Sequence, residues 1–448
     1  MKRFVFSICA ASLCALPAYA LTIDEAIELA RANNHRLKQY RHLTQAQENR
    51  VGSEAAAFWP SVDLDYRAAR SDEAFDFAAQ PPTFRKQTQS TATATASYNL
   101  FSGLSDWHDV KSAKALLQAS RYELQGVEAD IVLEAKNTFI EVLRAQQNLL
   151  VAREAVTLLQ SQRRNAELQY RVGLTAKNEL LKVEVELASA QQERIRTEGL
   201  LRVAKRALER AIGIAMIDDE SFEELGEIEK KAIYIDRLAD IMYDNRSELA
   251  YLRSRKKSRE YTRRSILGGY LPSIDLSVSY SRFGERLATD GRIDPLPDEE
   301  TQTIITATWN LFAGFKTARD AAAERAEILA LEERVLDTKQ DLLLQLRQAV
   351  EVHTVSAEQI SVSKTAVAQA EENYRITNNQ FKQRVADATD LLEARTLLTR
   401  SRSELTSSIY NHQRSIAAIE RVIESKLKDS KSKSAGPSGT ESKQETEQ

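Results

Sequence analysis

Tyr98-Asn99-Leu100-Phe101-Ser102-Gly103 recurs as Trp309-Asn310-Leu311-Phe312-Ala313-Gly314, a displacement of 211 residues (309 − 98). Upstream, Trp59-Pro60-Ser61-Val62-Asp63-Leu64 is answered by Leu271-Pro272-Ser273-Ile274-Asp275-Leu276 at 212 (272 − 60), and Asn33 and Leu37 by Asn245 and Leu249 at the same shift. Downstream, Gln169-Tyr170 and Leu180-Leu181 return as Gln380-Phe381 and Leu391-Leu392, again at 211 (391 − 180). A register held over about 150 residues reads as a tandem duplication, and a repeat decides the fold before any single motif does. The copies run over 21–212 and 234–424, joined by a linker at 213–233 and followed by a polar tail at 425–448.

Each copy reads as a helix, a strand, a polar loop, a second strand, a very long helix and a further helix. Strands are expected at 60–70, 91–101, 272–282 and 301–312, with loops at 71–90 and 284–300, on the strength of period-two alternation. Val62, Leu64 and Tyr66 alternate with Asp63, Asp65 and Arg67; Ile274, Leu276, Val278 and Tyr280 alternate with Asp275, Ser277, Ser279 and Ser281. Thr91, Thr93, Thr95, Ser97 and Asn99 oppose Ala92, Ala94, Ala96, Tyr98 and Leu100, and in the last strand Ile304 alone breaks the alternation. Strands of about 10 residues, apolar on one side, have the length of tilted transmembrane strands. Tyr98 and Trp309 hold matched positions near strand ends, where an aromatic ring suits a membrane interface. Pro60 and Pro272 stand at strand entrances, where a missing N–H costs little and a preceding helix is stopped. Four strands cannot close a barrel around a lumen, and lipid tolerates no open edge, so several chains must pool their strands.

The long helices are expected over 104–170 and 316–381, with shorter ones over 178–212 and 388–424. Apart from Gly126, neither long segment contains glycine or proline, and about 67 residues at about 1.5 Å each would extend roughly 100 Å. Leu117, Leu124 and Ile131, then Val142, Leu149 and Val156, and in the second copy Leu329, Leu336, Leu343 and Val350, recur every seven residues. That spacing is expected to form coiled-coil core, and the eleven-residue step from Ile131 to Val142 would locally straighten the supercoil.

Lys2 and Arg3 precede an apolar run from Phe4 to Leu16 and the small-x-small triplet Ala18-Tyr19-Ala20, the pattern of a secretory signal cleaved after Ala20. Cys9 and Cys14 both lie inside it, so the mature chain is expected to hold no thiol. The chain has 448 residues, 28% of them charged, with 14 Gly and 8 Pro, a balance that favours long helices over a compact enzyme. Its formal charge of −3 falls to −5 (−3 − 2) without Lys2 and Arg3, which gives no general attraction to nucleic acid. The tail has almost nothing to bury and is expected to be disordered.

No phosphate loop, nucleophile elbow or metal-ligand spacing occurs, and no enzyme, cofactor or metal centre is expected. His35, His42, His108, His353 and His412 are scattered and read as exposed or packed side chains. The cluster Arg253, Arg255, Lys256, Lys257, Arg259, Arg263 and Arg264 reads as a wet helix face near a membrane, or as a site for anionic lipid or nucleic acid. The matching stretch from Arg41 to Gly52 is not similarly basic.

Signal, duplication, Pro-Ser-x-Asp-Leu and Asn-Leu-Phe-x-Gly together resemble the TolC-like outer-membrane efflux family, over all of the mature chain except the tail. The resemblance implies a homotrimer in which each chain gives four strands to a twelve-strand barrel in outer-membrane lipid and long helices to a periplasmic tunnel. It implies passive conduction, with a periplasmic membrane-fusion adaptor and an inner-membrane ABC or RND-type transporter as partners. It places adaptor-docking tips at Arg171-Val172-Gly173-Leu174 and at Arg384-Val385, the latter without the turn glycine. Asp390 and Glu393, one turn apart on a helix face, resemble the acidic residues of the family's periplasmic constriction, where symmetry would make two rings favouring cations; the other reading is a solvated face. A periplasmic coiled-coil scaffold or adaptor is the alternative class.

Overall fold

The computed structural model describes residues 20–76, 83–215, 221–225, 233–291, 297–383 and 385–427. The segment up to Tyr19 expected to be a signal, Arg384 and the part of the expected tail from position 428 lie outside them. Eight helices and four strands are described: α1 Ile23–Asn33, α2 His35–Ala55, β1 Ser61–Asp76, β2 Thr83–Ser102, α3 Ser105–Arg171 and α4 Lys177–Ile212 from the first repeat. From the second come α5 Ile235–Asn245, α6 Ser247–Gly268, β3 Ser273–Gly284, β4 Glu299–Thr308, α7 Lys316–Lys382 and α8 Ala388–Ile423. They divide into a strand unit, Tyr40–Gln125 with Ser247–Lys339, and a helical unit made of the rest. Among the described residues no helix is long and apolar enough to cross a membrane.

In the strand unit the sheet order is β1-β2-β3-β4, antiparallel throughout, so the repeats meet at β2 and β3. The register lines up whole rows across the four strands. Val62, Ala96, Val278 and Thr303 form one row and Leu64, Ala94, Tyr280 and Thr301 the next on that face; Asp63, Thr95, Ser279 and Gln302 form a row on the other. One face is therefore apolar and the other hydrophilic, and Asn99 donates to Asp275 (2.8 Å) on the polar side. A bulge between Asn99 and Phe101 leaves Leu100 without a ladder partner.

Two strand boundaries differ from the alternation. The expected loop 71–90 is largely ladder, because β1 continues to Asp76 and β2 starts at Thr83; backbone pairing needs no apolar side chain, so polar sequence can extend it. Likewise β4 starts at Glu299, inside the expected loop 284–300, and stops at Thr308 where position 312 was expected. Its partner β3 begins at Ser273, just after Pro272, so nothing is left for Trp309 onward to pair with. Tyr98 thus lies within a strand opposite Leu276, whereas exposed Trp309 lies past one and its indole N–H donates to the Tyr270 carbonyl (3.0 Å).

Both strand-to-helix joints carry two consecutive left-handed residues, Gly103 (φ 68°) with Leu104 (φ 66°) and Gly314 (φ 61°) with Phe315 (φ 66°). This explains the glycine of the repeated motif. At Gly103 there is a second reason: a β-carbon would collide with the Gly268 carbonyl of α6, and one on Gly268 would lie 2.6 Å from the Gly103 oxygen.

In the helical unit the duplication reappears in how helices break and end. Asn34 separates α1 from α2, and Arg246, 212 residues on (246 − 34), separates α5 from α6. Both side chains donate to carbonyls at the end of a long helix: Asn34 to Ala211 (2.9 Å), Arg246 to Arg421 (2.5 Å). These are carbonyls that a helix end leaves without a partner. The next residue out is left-handed in each copy, Gly213 (φ 77°) and Glu424 (φ 47°). Glu424 tolerates this while buried between Arg421 (3.1 Å) and Arg246 (3.7 Å). Phe139, Ile140, Leu208, Met242 and Ile419 are fully buried, each worth about 1.5–3 kcal/mol relative to exposure.

Ile131, Val142, Leu149, Val156 and Val350 are buried, but Leu329 and Leu336 are about half exposed, at 52% and 51%. A heptad seam becomes core only where a second helix lies on it, and among the described residues none covers that face of α7.

Candidate constriction and hairpin ends

The two hairpin turns, between α3 and α4 and between α7 and α8, close alike. In the first, Gly173 (φ 73°) donates to Tyr170 (3.0 Å) and Leu174 donates back to Gln169 (2.8 Å), the pair of bonds that ends a helix on a left-handed residue. In the second, Val385 donates to Gln380 (2.9 Å), the same bond displaced by 211 (385 − 174). Arg384, the counterpart of Gly173, is outside the described residues. Arg171, Val172, Gly173, Leu174 and Val385 are all exposed, and around Gly173 a β-carbon would meet nothing within 4 Å.

Asp390 and Glu393 begin α8, and their surroundings differ. Asp387 is the N-cap: its carboxylate accepts from the Asp390 N–H (2.9 Å), and the Asp390 carboxylate accepts from the Asp387 N–H (3.1 Å). Asp390 therefore closes a capping box, which a solvated-face reading had not foreseen and which gives its carboxylate a structural duty. Glu393 is exposed and makes no ion pair among the described residues. It shares an open depression with Leu181, Lys182, Val185, Thr389 and Leu392. Lys182 donates to Glu179 (2.9 Å) and to the Thr389 hydroxyl (3.1 Å), joining α4 to α8. Its ammonium is held above the ordinary lysine value, first by the Glu179 hydrogen bond and further by the charges of Glu179 and Asp387.

Two residues beyond Glu393, on the buried side of α8, lies Arg395, which sequence reasoning passed over. It is 5% exposed, and its guanidinium donates to the Ala155 carbonyl and to Gln162 (3.3 Å) of α3. Burial pushes its pKa down, opposed by Tyr374 and Glu186. Arg395, Glu186, Asn148, Ala152 and Leu200 line a groove of about 580 Å³ between α3, α4 and α8.

His353 and His412 were also missed as a pair. Their buried rings stack with centroids 4.3 Å apart, and each Nδ1 meets a serine of the other helix, His353 with Ser415 (3.2 Å) and His412 with Ser356 (3.0 Å). The available signal was position: in a hairpin turning near 383, residues 353 and 412 are equidistant from the turn. Among the described residues no group of three His, Cys, Asp or Glu side chains converges as a metal site. What the hairpin ends offer is exposed carboxylate charge on rigid helices.

Solved structures share this architecture. The Campylobacter jejuni CmeC outer membrane channel superposes with a TM-score of 0.77 at 14% identity, covering 94% of this chain and 93% of that one. The outer membrane protein VceC of Vibrio cholerae gives 0.75 at 16%, covering 91% and 97%. The open state of the Neisseria gonorrhoeae MtrE outer membrane channel gives 0.74 at 14%, covering 91% and 90%. No curated protein matches the chain. The model of the outer membrane efflux protein family matches residues 26–214 and 238–423, once in each repeat. The chain therefore belongs to the outer membrane efflux protein family, whose members are channels and not enzymes.

Proposed function

We propose that three copies of this chain form the exit duct of a tripartite export system, passively conducting proteins or small molecules out of the cell. Each copy would give its four strands to a twelve-strand barrel in the outer membrane and its helices to a periplasmic tunnel. A membrane-fusion adaptor would dock at the hairpin ends around Arg171–Leu174 and Arg384–Val385, and an inner-membrane ABC or RND-type transporter would supply the energy. Asp390 and Glu393 would ring the periplasmic constriction, with Glu393 the freer of the two to meet a passing cation.

The observation that carries this reading is the open edge of β4, exposed from Glu299 to Thr308 on a sheet with one apolar and one polar face. A sheet of that kind is viable in lipid only when its edges are closed by further strands. The test is single-channel recording in planar bilayers on protein whose oligomeric mass is measured in the same sample. A trimer giving cation-selective steps, with Glu393→Gln reducing block by multivalent cations several-fold, is expected. A soluble, non-conducting species would replace the duct with a periplasmic scaffold; unchanged block in the variant would remove only the constriction.

A further inference from the structure

The basic run of α6 is only partly neutralised. Lys256 pairs with Glu332 (2.7 Å), and Arg259 with Glu324 (3.1 Å) and Glu327 (3.0 Å). Arg264 and, across on α3, Lys111 have no carboxylate partner among the described residues and lie against aromatic rings instead. The Lys111 ammonium is 3.3 Å from the centroid of Trp107 and 5.7 Å from that of Tyr261, and the Arg264 guanidinium is 5.6 Å from Tyr261. Within the cluster, His108 stacks on Tyr261 at 6.2 Å, and its Nδ1 is buried without a hydrogen-bond partner. The His108 pKa is lowered by burial and then by Arg264 and Lys111, with Asp109 opposing, so the local potential is positive.

Two further facts give the cluster a meaning. Its place is fixed beside the sheet: Trp107 follows the end of β2 by five residues, and Arg264 is four residues short of Gly268, which packs on Gly103. At about 1.5 Å per residue, Lys111 stands about 9 Å into α3 from Ser105 and Arg264 about 6 Å from the Gly268 end of α6, so their long side chains reach a headgroup layer of about 5–8 Å per leaflet. Moreover, the other repeat carries none of it. Trp107 and Lys111 become Ala318 and Ala322 (+211), and Tyr261 and Arg264 become Asn49 and Gly52 (−212). The fold is built without these side chains in one copy, so folding alone does not require them in the other.

We infer that Trp107, Lys111, Tyr261 and Arg264 bind the phosphate of an anionic glycerophospholipid in the periplasmic leaflet of the membrane that holds the strands. Unpaired cations take the phosphodiester while Trp107, 46% exposed, and Tyr261 seat the glycerol and upper acyl region, the division of labour usual for such side chains at a membrane surface. The inference rests on the membrane placement proposed above.

The experiment uses the mature full-length protein in phosphatidylcholine nanodiscs with increasing brominated phosphatidylglycerol, reading the fluorescence share that Trp107→Phe removes. Saturable quenching at low phosphatidylglycerol is expected. Lys111→Gln with Arg264→Gln raises the half-saturating fraction about 25-fold, since each surface cation contributes about a factor of five, and Lys111→Arg retains binding. Equal quenching by brominated phosphatidylcholine overturns the inference, as does competition by soluble glycerol 3-phosphate at matching occupancy. Conductance of the same protein in pure phosphatidylcholine separates the two readings: a protein that inserts and conducts but shows no lipid preference loses this site alone, whereas one that enters no bilayer loses the duct.

Discussion

Gly103 and Gly314 occupy equivalent places in the repeated motif, yet they answer different constraints. Both are left-handed, but only Gly103 lies against another backbone, that of Gly268; a β-carbon on Gly314 meets nothing within 4 Å. At Gly268's place in the first repeat stands Ala56 (268 − 212), whose own β-carbon forbids so close an approach. Gly314→Ala should therefore cost about 1–2 kcal/mol of backbone strain, while Gly103→Ala adds about 1–3 kcal/mol of overpacking. Thermal unfolding of the two purified variants checks this, and equal losses would refute the packing argument. The glycines themselves were legible in the sequence, as a motif met twice. Their inequality was not, because it depends on a helix some 165 residues away (268 − 103) reaching the same turn.

Elements repeat the lesson on a longer scale. The scarcity of glycine and proline located the long helices and the alternation located the strands, because both are local features. Where β4 ends was not local: it is decided by Pro272 on its neighbour. The α7–α8 hairpin shows the same dependence, since His353 and His412 meet only when the turn fixes which residues face one another. Burial lowers the pKa of both, and His412 lowers that of His353 further; among the described residues no carboxylate from either helix contributes to either shift. A histidine with a lowered pKa binds its proton more readily unfolded than folded, so its contribution is complete above the unfolded value of about 6.5 and is lost as pH falls below it. The melting temperature of the helices is accordingly expected to drop between pH 7.5 and pH 5.5. His353→Gln with His412→Gln should flatten that dependence in circular-dichroism melts; an unchanged slope would show that other groups set it.

For the whole molecule, the duplication makes the missing contact calculable. Thr95 faces Ser279 between β2 and β3; displaced by one repeat (95 + 211 and 279 − 212), the same pairing would, in the proposed trimer, set Thr306 of β4 opposite Arg67 of a second copy's β1. Thr306→Cys with Arg67→Cys should cross-link copies under mild oxidation, while Thr306→Cys with Ala69→Cys, two residues out of step, should not. Cys9 and Cys14 precede position 20, so after signal cleavage the introduced thiols would be alone. Cross-linking of the second pair in preference to the first would sink this register. The bare edge of β4 has one more consequence. If the proposed trimer completes that strand, the last step of maturation is an encounter, with a rate that depends on how many unfinished molecules are nearby. Scarce chains would then wait longest with that edge open to proteases and to wrong pairings, so the amount of protein made would govern what fraction of it ever matures.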